Sequence, residues 1–356
     1  MGILLAPGPV YVPEEVMLSQ VKEMITHRSG AFRDLYVDLC TRSAKYVNAE
    51  EAYVVTGSGT LGIEMCILNC ARPSEKMLVL SNGNFGDLLA TTAEVYTNVE
   101  KKTLPPGKGW DLEKAKEHMD GSDATVFGMV YNETGYGVRN HAKEICQYAK
   151  KKGMLTIMDS VSAWPSLPMD MKDYCVDFFA VGCQKAIGAP PGAAVVGLGK
   201  DAIERIEGME RIPSHYGNLK RHRKTYKEKG QTPNTPAVTV FWAIQKCYSQ
   251  MDKEGGVGAW VEKHRNISEY VRGRVEGIGL ELIPEKGFES YSLTAFKHPK
   301  AAEVKKRMAE KYGISIVGCK GEFKDNGLRI AHMGLFDRKN LEIGLDALER
   351  VVKEVE

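Results

Sequence analysis

From about residue 52 the chain alternates short apolar runs with longer segments of helical periodicity. The runs at 53–56, 77–80, 125–131, 155–158, 178–181 and 193–196 are rich in β-branched residues and are predicted as strands. The segments between them at 60–69, 86–97 and 140–152 are predicted as helices. Strand–helix alternation of this kind implies an α/β fold with a mostly parallel central sheet and helices on both faces. Between 213 and 236 the texture becomes polar and proline-containing, and helices are predicted at 241–251 and 260–275. Beyond that, strands at 280–283, 292–297, 314–317 and 328–332 and helices at 301–312 and 338–352 suggest a smaller C-terminal α+β domain. Met251-Asp252-Lys253-Glu254-Gly255-Gly256 reads as the hinge, which places the boundary near 250.

Bulk properties change this picture little. A net charge of +2 over 356 residues gives no overall basic field, so nucleic acid is not an expected partner. The basic run Lys220-Arg221-His222-Arg223-Lys224 reads as a solvated loop. The eight cysteines form no CxxC pair and no Cys/His cluster of metal-binding spacing, which favours reduced thiols and no structural metal. The first residues lack a basic region ahead of their apolar run, and no apolar stretch reaches membrane-spanning length. A soluble cytoplasmic protein is expected.

Candidate chemistry begins at Gly57-Ser58-Gly59-Thr60-Leu61-Gly62, a glycine-rich turn between a predicted strand and a predicted helix. It has the form of a dinucleotide fingerprint, but that reading requires an acidic residue at the end of the next strand. That strand ends in Ser81-Asn82-Gly83-Asn84, Glu75 precedes it and Asp87 lies past its turn. A nicotinamide-dependent dehydrogenase therefore stands only as an outlying alternative, and the turn reads better as a cup for a smaller phosphate.

Other strand ends carry Asp159 and Gln184-Lys185. Asp159 closes an apolar run and needs a partner; Lys185 closes another, ahead of a Gly/Pro-rich loop, as suits a lysine that forms covalent bonds to carbonyls. A lysine, a carboxylate, a phosphate cup and an aromatic residue at a strand end, Phe85, are together the requirements of pyridoxal phosphate.

On these residues the chain resembles the class V aminotransferases, and within them the alanine–glyoxylate and serine–pyruvate aminotransferases. The likeness runs from Leu5-Ala6-Pro7-Gly8-Pro9 and His27-Arg28-Ser29 through Gly57-Ser58-Gly59-Thr60, Asn82-Gly83-Asn84-Phe85-Gly86, Asn132-Glu133-Thr134 and Asp159-Ser160-Val161. It continues in Gln184-Lys185-Ala186-Ile187-Gly188-Ala189-Pro190-Pro191-Gly192, in 232–236 and in Leu328-Arg329-Ile330-Ala331.

The resemblance implies the type I fold of pyridoxal-phosphate enzymes, with an N-terminal segment 1–15 reaching the active site, a large cofactor-binding domain 16–250 and a small domain 251–356. It implies that Lys185 bonds to the cofactor and moves protons, and that Asp159 pairs with the ring nitrogen. Val161 and Phe85 would sandwich the ring, and Ser58, Gly59, Thr60 and Gln184 would hold the phosphate. Thr134 would lie near the ring hydroxyl. Thr232 and Thr235 would reach the phosphate of a neighbouring subunit, so a homodimer with shared active sites is expected. Arg329 would clamp the substrate carboxylate, with the backbone near Gly8 closing over it.

The implied reaction moves the amino group of a small amino acid, alanine or serine, to a 2-oxo acid, glyoxylate or pyruvate. Leu88 stands where many relatives carry an arginine, which bears on specificity. Cysteine desulfurases and lyases share this fold, and Cys319 keeps them as the alternative.

Overall fold

The computed structural model describes residues 2–355. Seven strands form the central sheet in the order Glu51–Thr56, Ala193–Leu198, Phe178–Gly182, Leu155–Asp159, Val126–Val130, Lys76–Ser81, Asn98–Thr103. Ala193–Leu198 runs antiparallel to both its neighbours, and the remaining pairings are parallel. Phe178–Gly182 and Val126–Val130 are buried along their whole length, as strands covered on both faces must be. The parallel strands therefore end together on one edge, at Thr56, Ser81, Val130, Asp159 and Gly182, and this edge carries the chemistry.

The predicted strands of the sheet all form, and three features differ from expectation. Asn98–Thr103 is a seventh strand, at the edge; its Glu100, Lys101 and Lys102 hide it from hydrophobic patterning but suit an edge that must not pair further. The predicted strand at 280–283 reduces to a single bridge between Leu282 and Phe296. The basic run 220–224 is not a loop but part of the helix Leu219–Lys229, in which His222 and Arg223 are buried. Arg223 there donates to Glu51 at 2.7 Å and pairs with Glu207, so its charge is consumed inside the fold.

A second core, built from Val271, Val275, Val304, Met308, Leu328, Ile330, Leu341 and Leu348, lies under the antiparallel strands Leu293–Lys297, Gly327–Ala331 and Val317–Gly318. Leu5 joins this core, although it lies at the start of the chain. The helix Gly256–Gly277 follows Val238–Lys253 across Gly255, whose φ of 101° suits glycine. Its Trp260 packs in the first core and its Ile267 in the second, so the chain passes from one to the other within that helix. We propose 251–356 as the small domain on this basis. Among the described residues no helix is long and apolar enough to cross a membrane.

Candidate active site

Lys185 follows the strand Phe178–Gly182 in a tight turn, closed by hydrogen bonds from Lys185 N to the Gly182 carbonyl at 3.2 Å and from Gly188 N to the Lys185 carbonyl at 2.9 Å. Gly188 has φ of 82°, and a Cβ there would lie 2.9 Å from the backbone of Leu335, so only glycine fits. The turn aims the lysine side chain toward the N-terminal segment, where Nζ donates to the Pro7 carbonyl at 2.6 Å. Gly8 packs directly on it: a Cβ at Gly8 would stand 2.3 Å from Nζ. Burial, with the Arg329 charge adding to it, pushes the Lys185 amine down to about 8, while Asp159 acts in the opposite sense.

Asp159 ends the neighbouring strand and is 8% exposed. Its Oδ1 accepts from Val161 N at 2.9 Å. Burial pushes the carboxyl up to about 6 against that hydrogen bond and the Lys185 charge. A buried acid held so weakly is complementary to a cation brought by a ligand.

Beside it, Ser58 precedes the helix Gly59–Leu68 in extended conformation, and its hydroxyl makes no capping bond. Ser58 and Thr60 are exposed while Gly59 is buried, with no room for a side chain: a Cβ there would lie 2.6 Å from a Val161 methyl. The first-turn N–H groups of this helix have no side-chain cap, and such a helix end is the arrangement that binds phosphate. A Cβ on Gly182 would lie 3.0 Å from the Gln184 side-chain oxygen and 3.3 Å from Val161, which draws the Gln184 amide into the same group. That oxygen is buried without a hydrogen-bond partner. An anion-binding helix end and an acid suited to a cation fit the phosphate and ring nitrogen of pyridoxal phosphate.

The Phe85 ring is 6.0 Å from Lys185 Nζ. Thr134 Oγ1 lies 2.5 Å from Ser162 Oγ, which also receives the Asn132 amide at 2.9 Å. Arg329, in the strand Gly327–Ala331, is 8% exposed. Its Nη1 donates to the Thr134 carbonyl at 2.8 Å, and its Nη2 and Nε reach the Gly318 carbonyl at 2.6 and 3.1 Å. Among the described residues this guanidinium is fixed by backbone oxygens and has no carboxylate in an ion pair with it, which leaves its charge for a ligand.

Contacts thus link Lys185 to Gly8, Phe85, Asp159 and Arg329, Arg329 to Thr134, Asp159 to Val161, and Val161 to Gly59 of the Ser58–Gly59–Thr60 turn, with Gln184 beside Gly182. Thr232 and Thr235 stand apart. Their loop packs against the end of the first sheet strand, where Ala237 N donates to Thr56 Oγ1 at 2.9 Å. Thr235 is exposed, but Thr232 is 3% exposed, with its hydroxyl buried and unpartnered inside its own subunit. Of the two, Thr235 is the exposed one.

Cys319 is also buried, and burial pushes its thiol up to about 11, which opposes the thiolate that a desulfurase needs. Sequence reasoning picked out the stretch Asn132-Glu133-Thr134 but gave Glu133 no role. It is fully buried, and its carboxylate accepts from Phe85 N at 2.9 Å, Gly86 N at 3.2 Å and Gly135 N at 2.8 Å. Burial pushes this acid up to about 7, against those three bonds. The signal was its place among glycines at a strand end, the same logic that singled out Asp159.

The Aminotransferase class-V family model matches residues 14–322. An uncharacterized aminotransferase of Methanocaldococcus jannaschii is 30% identical, over 99% of this chain and 93% of that protein. The alanine–glyoxylate aminotransferase of Callithrix jacchus is 24% identical, over 99% of this chain and 87% of that protein. Among solved structures, an alanine–glyoxylate aminotransferase from Nostoc sp. superposes with a TM-score of 0.94 at 23% identity, covering 99% of this chain and 95% of that one.

Proposed function

Because the chain belongs to the class V aminotransferases, pyridoxal-phosphate enzymes of the type I fold, we propose that it transfers the amino group of alanine or serine to glyoxylate or pyruvate. The observation that carries the choice of substrate is Arg329, a buried guanidinium beside Lys185 that, among the described residues, bonds to backbone carbonyls and to no carboxylate. It matches one α-carboxylate. Arg223 is paired with Glu51 and Glu207, while Arg28 and Arg221, which donate to neutral oxygens of Thr232, Gln231 and His215, lie outside the contacts that join Lys185, Asp159 and Arg329. Leu88 is 43% exposed and offers no charge. The alanine–glyoxylate relative supports the same reading.

Pyridoxal phosphate supplies an aldehyde for the amino group and a ring that accepts the electrons released when the substrate Cα–H bond breaks. In this proposal Lys185 Nζ would bond that aldehyde at rest and, once free, would take the proton from the substrate Cα as a general base and deliver it as a general acid to the former aldehyde carbon. Asp159 would favour a protonated ring nitrogen through its buried negative charge. Ser58, Thr60 and the Gly59 N–H would hold the phosphate with Gln184, and Phe85 and Val161 would confine the ring. Arg329 orients the substrate through its carboxylate, with Gly8 and the Pro7 carbonyl forming the lid. Thr235 carries the proposed contact to a second copy in a homodimer.

A side-by-side donor screen with glyoxylate and pyruvate as acceptors tests the substrate assignment. Alanine or serine should exceed aspartate and glutamate, and a tenfold or greater advantage for a dicarboxylic donor would overturn it. Arg329→Lys keeps the charge but loses the planar fork. Its kcat/KM should fall for donor and acceptor alike, by about 2–4 kcal/mol as for truncating a desolvated charge pair.

Capture of the cofactor should also depend on pH. The Lys185 amine attacks only when neutral, and with its pKa lowered to about 8 the neutral form grows as pH rises through that value. Stopped-flow absorbance of the apoenzyme mixed with pyridoxal phosphate should show the capture rate rising between about pH 7 and 9 and then levelling. A rise centred near the ordinary lysine value of 10.5 would contradict the lowered amine.

A further inference from the structure

We propose that Glu133 is a positioning residue that fixes the ring-stacking Phe85 and the carboxylate-binding Arg329 relative to one another; this rests on the reading of the site given above. The helix that carries Phe85, Asn84–Ala93, begins after Gly83, which has no side chain with which to cap it. Its first-turn N–H groups at Phe85 and Gly86 are instead taken by one oxygen of Glu133, at 2.9 and 3.2 Å. A carboxylate there meets both the orphan donors and the positive end of the helix. The other oxygen takes Gly135 N at 2.8 Å. Gly135 follows Thr134, whose carbonyl receives Arg329 at 2.8 Å. One buried side chain thus sets the backbone under the aromatic ring and the carbonyl that aims the guanidinium.

The surroundings are shaped to hold this group. A Cβ at Gly83 would lie 2.6 Å from two carbons of the Glu133 side chain, and a Cβ at Gly135 would lie 2.7 Å from its Oε1. Two glycines therefore make room for the acid on opposite sides. The short pairing of Asn132–Glu133 with Val138–Arg139 anchors its backbone, with Gly137 N donating to the Glu133 carbonyl at 3.0 Å. Nothing in this arrangement places Glu133 against the reacting atoms, so its role is exerted through Phe85 and Arg329.

Both oxygens of a carboxylate accept, whereas an amide offers one acceptor and turns N–H groups toward N–H groups on its other side. Glu133→Gln in the full-length protein should therefore raise the dissociation constant of the apoenzyme for pyridoxal phosphate about 10-fold, read by fluorescence titration. It should raise KM for donor and acceptor by about 5- to 10-fold while kcat changes less than about 3-fold, the signature of a disturbed binding group.

The decisive measurement is a double-mutant cycle on cofactor affinity. The loss caused by Phe85→Ala should shrink by at least about 3-fold when Glu133 is already Gln, because the ring is then no longer fixed. Should Glu133→Gln not fold, Gly135→Ala, which presses on the same oxygen and leaves the charge in place, enters the same cycle. Additive losses in the cycle, or unchanged affinity and KM, would overturn the proposal while leaving the aminotransferase reading intact. A wild-type apoenzyme that binds no pyridoxal phosphate would overturn both.

Discussion

Lys185→Ala should yield a folded protein that binds pyridoxal phosphate without a covalent bond and transaminates at least about 10,000-fold more slowly than wild type. The size follows from removing two contributions at once, the nucleophile that holds the aldehyde and the base that moves the Cα proton, each worth orders of magnitude in such sites. Folding should survive, because the turn is built from backbone hydrogen bonds to Gly182 and Gly188 that alanine retains. What the truncation removes is the bond from Nζ to the Pro7 carbonyl, so the N-terminal segment should also become easier to displace. Borohydride reduction followed by peptide mass mapping checks the covalent half: wild type should carry the cofactor on residue 185, and the variant nowhere. Labelling of another lysine in the variant would show that the assignment is wrong.

Asp159→Asn should cut kcat by about 100- to 1000-fold, the cost of losing a fixed charge aimed at charge development in a buried site. Asparagine keeps the shape, and its oxygen still accepts from Val161 N. What disappears is the negative charge that favours a protonated ring nitrogen, so cofactor affinity should weaken as well. Stability of the cofactor-free protein should move the other way. Burial raises this carboxyl from 3.8 to about 6, so the folded state binds its proton more tightly than the unfolded chain does. The acid therefore contributes least to stability above pH 6, where folding must keep a desolvated charge. D159N removes that charge, and the apo variant at pH 7.5 should melt at or above the wild-type temperature while the holoenzyme loses its cofactor-induced gain. Calorimetry with and without pyridoxal phosphate reads both. Near-normal turnover would remove the electronic role from Asp159.

The two sets of residues differ in how far sequence reached them. Lys185 and Asp159 were legible because each closes a run of residues buried on both faces, and a charged side chain at such a place has only the sheet edge to go to. Ser58, Gly59 and Thr60 were legible for a similar reason, as a turn of small residues between a buried strand and a helix. The burial of Thr232 was not: its hydroxyl lies inside the subunit, and only the packing of its loop against the end of Glu51–Thr56 decides that. The partners of Glu133 and of the Pro7 carbonyl were not either, since they lie 48 and 178 residues away along the chain.

What the sequence by itself determined was the order and type of the buried elements, and with them the strand edge that carries the chemistry. Burial on two faces leaves an apolar run that survives in one dimension. The tertiary structure decided the rest. Asn98–Thr103 is a strand because Lys76–Ser81 offers it a ladder, and Leu219–Lys229 is a helix whose arginine finds Glu51 and Glu207. The predicted strand at 280–283 failed for want of a continuous partner, keeping one bridge to Phe296. Polar elements draw their stability from hydrogen bonds and ion pairs to remote residues, and those pairings exist only once the fold has brought both partners together.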